Sequence, residues 1–489
     1  MPDLLEVATY SEDTGTYTTI KALEDSATIQ AVRASTQVKR GQRQQSTGKS
    51  QRRYGGSVIA GETVENGEFT RKLLVSGATV DAAIASLEAM FAVLESPRTD
   101  LYLAWQPDGA TYKTLYEIRG PATWQPEHDW AQLTMAGSIV VTVTIPVAPL
   151  ATTDSVTDLS ASFPTTLPAV YSPATAVPGK APCLATLELR ASGGTDPPIW
   201  ALVGWTKRPG SPLSGSVAPF GLIEAETMAG LSTWAAIGTD ANYSGSNGVR
   251  ATTSGAGSAS GYVVVDPSVM QPDDFTAGTI DIEVWARVEL AYTVVSPKIT
   301  LTLEPNAGSA FGAVQYAAEY GTAGKSISVP VSGTRFRFVK LGTVTMPVDQ
   351  ALKWNVKLAG SWAGGSSGSF GVDYLILVPA RQRAVSRCGV PKDGNYPEFI
   401  PGTGDTTKQI RADLSGRIAS GTGGKAPHTG LGGAPFELPP GPVDFVIKLS
   451  SMVADDPDPP LSTLSEQKTH GLTSGLIRCR PRWFYARDA

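Results

Sequence analysis

Between residues 257 and 380 the chain repeats one pattern: a short run of alternating apolar and polar residues, then a turn. GYVVVDP, TIDIEVWARVEL, KITLTLEP, FRFVKLGTVTMP, LKWNVKLAG and GVDYLILVPA follow one another at short intervals. A period of two is the mark of a strand with one buried face. Such strands in close succession read as an antiparallel sandwich or jelly roll. Composition agrees with a mainly β chain. The 489 residues include 51 Gly and 36 Pro, more than a helical protein tolerates, and 41% hydrophobic residues, enough for real cores.

The same reading divides the rest of the chain. Residues 1–150 alternate in several runs around one helix. Thr79 is placed to cap it, and Val80, Ile84, Leu87, Phe91 and Leu94 recur at three- and four-residue steps before Pro97 stops it. LYLAWQ (101–106), the turn at 107–109 and TYKTLYEI (111–118) read as a hairpin, and GSIVVTVTIPV (137–147) as a long strand. Together they make an N-terminal β-sandwich-like domain with one α-helix. Residues 151–180, rich in Ser, Thr, Pro and Ala, read as a linker or extended arm. Residues 181–214 then supply two strands, and 381–489 two more near the end. Neither pair buries a face alone. They are expected to form one C-terminal β-sandwich, interrupted by a self-contained jelly roll at 215–380 that begins at GLIEAETMAG (221–230).

Charge and cysteine usage narrow the function. Net charge is −5, which does not mark a nucleic-acid or membrane-surface binder. One basic stretch, residues 31–55, carries Arg33, Lys39, Arg40, Arg43, Lys49, Arg52 and Arg53 with few aromatics. It reads as a solvated loop or an inter-subunit arm more readily than as a nucleic-acid arm. Cys183, Cys388 and Cys479 are scattered and form no CxxC, which suits synthesis in a reducing cytoplasm. The start, MPDLLEVATYSED, lacks a signal-peptide pattern, and no run of 18 apolar residues occurs.

Two resemblances follow from particular residues. IEAE (223–226), IDIEVWARVEL (280–290), VKLGTVTMP (339–347) and VDYLILVP (372–379) resemble carbohydrate-binding jelly rolls of the family 6 and 35 type. The chain as a whole resembles distal tail or minor tail proteins of long-tailed bacteriophages, especially those of actinobacterial hosts. The matching stretches are TRKLLVSGATVDAAIASLEAMFAVLES, the strand ending TIPVAPL, LPPGPVDFVIKL and PRWFYARDA. This second resemblance implies a virion protein that forms a homo-hexameric ring at the end of the tail tube, bound to tube and tail-tip hub proteins and displaying the inserted domain. The helix and residues 31–55 are its candidate subunit contacts.

Candidate sites follow. Glu224 and Glu226, on one face of a strand, with Asp373 on the closing strand, would suit a structural Ca²⁺, which takes six to eight oxygens. The resembling modules hold such an ion between first and last strands. Trp234, Tyr243 and Trp362, flanked by Gly, Ser and Thr, read as loop-borne and are the candidates for a glycan platform. Trp285 and Trp354 read as core. No enzyme motif is found: His128, His428 and His470 have no ligand at i+4, GSAFG (308–312) misses a nucleophile elbow, and SGTGGKAP (420–427) fails the phosphate-loop spacing. The chain is expected to be non-enzymatic, with a host-glycan adhesin as the alternative to a tail ring.

Overall fold

The computed structural model describes residues 4–483 apart from 12–15, 25–27, 33–35, 40–42, 49–57, 65, 96–100, 108–112, 128–137, 184, 192–199, 272–277, 307–315, 318–323, 331, 349–352, 381, 388–409, 414–418, 421–426, 429–430, 433–437 and 451–464. Pro97, His128, Cys388 and the GSAFG stretch lie outside these residues, as do most of the basic residues of 31–55. The fold is mainly β. The chain divides into two compact units. One comprises Met1–Thr157, Pro178–Cys183 and Arg480–Ala489; the other comprises Asp158–Val177 and Leu184–Cys479.

In the first unit, Gly67–Ser76 shows why a sheet forms. Its residues alternate strictly, placing Phe69, Arg71, Leu73 and Val75 inward. It pairs along its full length with Ser138–Val147, which alternates in the same way. A second sheet runs Thr16–Ala22, Leu4–Ser11, Leu101–Gln106, Thr114–Glu117, Ala151–Thr153 and Arg482–Trp483. The two sheets and the helix Val80–Leu94 enclose a core containing Val7, Phe69, Leu73, Met90, Leu103 and Val141. The Thr79 hydroxyl caps the helix by accepting from the Ala82 N–H at 3.2 Å. Inward-facing Arg71 is matched by Glu24 at 2.8 Å, both nearly buried.

The C-terminal strand Arg482–Trp483 belongs to this N-terminal unit, where it pairs with Ala151–Thr153. Arg480, just before it, stacks over the rings of Tyr10 and Tyr102, 4.2 and 5.1 Å from their centroids. The stretch 151–180 is more ordered than its composition suggests. Leu159, Leu167, Tyr171 and Val177 are buried within it, and Ala169–Tyr171 is a strand paired with Val443–Ser450. These apolar residues fasten a polar segment down.

In the second unit, Ala185–Ala191 pairs with His470–Cys479, and Trp200–Lys207 with Val443–Ser450. Residues from 221 to 379 form two further sheets. The first runs Ala235–Ile237, Gly248–Thr253, Gly368–Pro379, Thr279–Ala291 and Thr334–Pro347. The second includes Ala229–Ser232, Gly257–Val265, Trp354–Trp362 and Lys298–Pro305. Val284, Val288 and Tyr374 from one meet Val263, Leu301 and Leu358 from the other. That core also takes in Leu202 and Val446, which lie on the paired strands Trp200–Lys207 and Val443–Ser450. Gly204 is the closest point. A Cβ there would lie 2.4 Å from a Val378 methyl and 3.0 Å from one of Val446.

Candidate functional site

The strand Gly221–Glu224 runs antiparallel to Gly368–Pro379, with Glu224 opposite Tyr374. It ends at Glu224, because residues Ala225–Thr227 turn as a 3₁₀-helix and the Thr227 hydroxyl donates to the Glu224 carbonyl at 2.6 Å. Glu226 therefore sits in a turn, not on the same strand face as Glu224 as the alternation implied. The two carboxylates still share one feature. Glu224 Oε2 and Glu226 Oε2 are buried with no hydrogen-bond donor.

Around them, the Ser244 hydroxyl donates to Glu224 Oε1 at 3.1 Å, and the Ser244 N–H donates to Asp373 Oδ1 at 2.7 Å. Arg287 donates to Asp373 Oδ2 at 2.5 Å and to the Asn242 carbonyl at 2.9 Å. Burial, with help from the charges of Asp373 and Glu226, lifts the Glu224 carboxyl to about 7. Burial also lifts Asp373, against the pull of Arg287. Two donor-less carboxylate oxygens fit a hard cation. The third predicted ligand does so less well, because Arg287 already meets Asp373. Among the described residues no group of three or more His, Cys, Asp or Glu side chains is arranged to hold a metal.

The aromatic residues are placed differently from the sequence expectation. Trp234, Tyr243 and Trp362 are buried, so none offers a free ring face to a sugar. Trp234 Nε1 donates to the Phe370 carbonyl at 3.1 Å, and both tryptophans meet the Phe370 ring edge-on. The Tyr243 hydroxyl donates to the Glu289 carboxylate, which also accepts from Arg250 at 2.7 Å and Ser369 at 3.0 Å. The neighbouring glycines explain the misreading. Cβ atoms at Gly248, Gly257 and Gly360 would lie 2.1, 2.5 and 2.9 Å from the rings of Tyr243, Trp362 and Trp234 respectively. Trp234 and Tyr243 do lie between strands, as read, and Trp362 ends the strand Trp354–Trp362, but these strand glycines make room for the rings inside the sandwich. Trp285 and Trp354 are buried, as their strands imply. Sequence reasoning missed Tyr292, 56% exposed in the turn before the short strand Val294–Val295, whose Val295 is also exposed. Its signal was its place at the end of a long alternating strand.

No protein-family model matches the chain, and no curated protein matches it. Among solved structures it is similar to the SPP1 Dit protein, described as a paradigm of hub adsorption apparatus in phages infecting Gram-positive hosts. The identity is 9% and the TM-score 0.25, over 76% of this chain and 98% of that one. It is also similar to the phage P2 baseplate in its activated conformation with Ca, at 9% identity and a TM-score of 0.22, over 78% of this chain and 99% of that one. At such TM-scores neither likeness carries a functional argument.

Proposed function

We propose that the chain is a structural subunit of a long-tailed bacteriophage tail, forming a ring at the distal end of the tube and holding out the sandwich of residues 215–380. The observation that carries this reading is in the N-terminal unit. Among the described residues, one edge of each of its two sheets is Thr16–Ala22 or Thr123–Pro126, and each carries a partly exposed large apolar side chain, Ile20 and Trp124, the latter with one side against Phe91. An open strand edge bearing an apolar group is a liability in a lone subunit. It suits a repeated subunit contact, and a head-to-tail contact whose rotation closes gives a ring. The test is the mass of the purified protein at micromolar concentration, with negative-stain images. Closed rings, six-membered by resemblance, with peripheral knobs are expected, and Ile20→Lys with Trp124→Lys should yield monomers. Wild-type protein running only as a monomer would overturn the reading.

A host-glycan adhesin remains the second reading, favoured by the exposed Tyr292 and Val295 in the sandwich of residues 221–379. Either role is compatible with a structural Ca²⁺ at Glu224 and Glu226, whose donor-less oxygens call for positive charge. Added Ca²⁺ should raise the melting temperature of the wild type and not of Glu224→Gln with Glu226→Gln. An equal response from both proteins would dismiss the site.

A further inference from the structure

Lys448 and Glu466 form a pair with no exposed side-chain surface on either partner, Nζ lying 2.8 Å from Oε1. Everything around them fixes that approach. Glu466 is held against the strand Thr334–Pro347: its N–H donates to the Phe336 carbonyl at 3.0 Å, and the Phe336 N–H donates to the Ser465 hydroxyl at 2.9 Å. Arg287 grips the Glu466 carbonyl through two donors, at 2.7 and 3.3 Å. Lys448 comes from the facing strand Val443–Ser450 and lies 5.7 Å from the centre of the Phe338 ring. The two reacting groups are therefore preset by separate backbone segments in a dry, aromatic-walled pocket.

From this geometry we infer that Lys448 and Glu466 condense to an amide, a covalent cross-link between the strand Val443–Ser450 and the segment leading into His470–Cys479. The step balances without any further reagent. The Nζ–Cδ bond forms and the Cδ–Oε1 bond breaks. Oε1 leaves as water, taking two of the three ammonium protons. Held in contact, the groups have the effective concentration of an intramolecular reaction, and the absence of bulk water favours condensation over hydrolysis. The product's polar atoms already have partners. Its N–H keeps the Gln467 carbonyl, now 3.2 Å from Nζ, and its C=O keeps the Ser450 hydroxyl, which donates to Oε2 at 2.6 Å. The reaction also replaces a fully buried ion pair, which is costly to desolvate, by a neutral group. Burial favours the neutral amine that the attack requires.

Peptide mapping of the purified full chain tests the cross-link. An amidated Lys448 blocks trypsin, so residues 426–468 should appear as one peptide, lighter than its sequence by one water, with fragment ions joining Lys448 to Glu466. Lys448→Arg should restore cleavage after position 448 and full mass. Cleavage after Lys448 with both peptides at full mass in the wild type would overturn the inference. So would a water deficit that persists in Lys448→Arg. Because wild-type protein alone decides the first point, a variant that fails to fold does not leave the question open.

Discussion

Residue types carry chemistry only through what surrounds them, and His470 shows the effect most plainly. It is 7% exposed, its Nε2 has no partner among the described residues, and its neighbours include Lys448 and Arg287. Burial above all depresses it from 6.5 to about 3. In the unfolded chain it takes a proton near 6.5, whereas in the fold it stays neutral. Its contribution to stability is therefore complete above pH 6.5 and is lost as pH falls toward 3. The slope from this one group approaches about 1.4 kcal/mol per pH unit. Denaturant unfolding at pH 7, 6, 5 and 4 should show it, and His470→Asn should lose that part of the acid limb. Identical acid limbs in the two proteins would dismiss the assignment. A single sequence gave His470 no such standing, since nothing local announces that Lys448 and Arg287 are its neighbours.

At the level of elements, strand and helix positions were legible because their periods are local. The helix begins and ends within a residue or two of its sequence limits, capped by Thr79 as its hydroxyl implied. The hairpin strands Leu101–Gln106 and Thr114–Glu117 pair as read. What the strands pack against was not legible. Gly204 lies where the strand Trp200–Lys207 meets Val378. Gly204→Ala should cost about 1–3 kcal/mol by overpacking. Val378→Ala should cost a few kcal/mol by itself, and the double variant should be less unstable than the sum of the two. Simple additivity in urea melts would show that the two positions do not touch. The same blindness hid the burial of Trp234, Tyr243 and Trp362. A Gly beside an aromatic signals a loop in sequence, but it also signals a ring seated on backbone, and only the neighbouring strand decides which.

At the scale of the whole molecule, one sheet holds both an early and a late strand of the chain. Strand Arg482–Trp483 is the far edge of the sheet that contains Leu4–Ser11, and Arg480 lies over the rings of Tyr10 and Tyr102. Removing residues 480–489 should therefore lower the melting temperature of the N-terminal unit by several degrees, and calorimetry of the truncated and full-length chains measures it. Unchanged melting would mean that the terminal strand is ornamental. The sequence expected residues 215–380 to be an independent lobe. The structure seats Leu202 and Val446 in the same core as Val284 and Val378. By itself, the sequence determined that the chain is a succession of antiparallel strands with one capped helix, because alternation, capping and turn chemistry act over a few residues. Only the tertiary structure decided which side chains are exposed, which carboxylates lack donors and that Lys448 faces Glu466. Those facts depend on segments far apart in the chain, brought together by the burial of apolar surface.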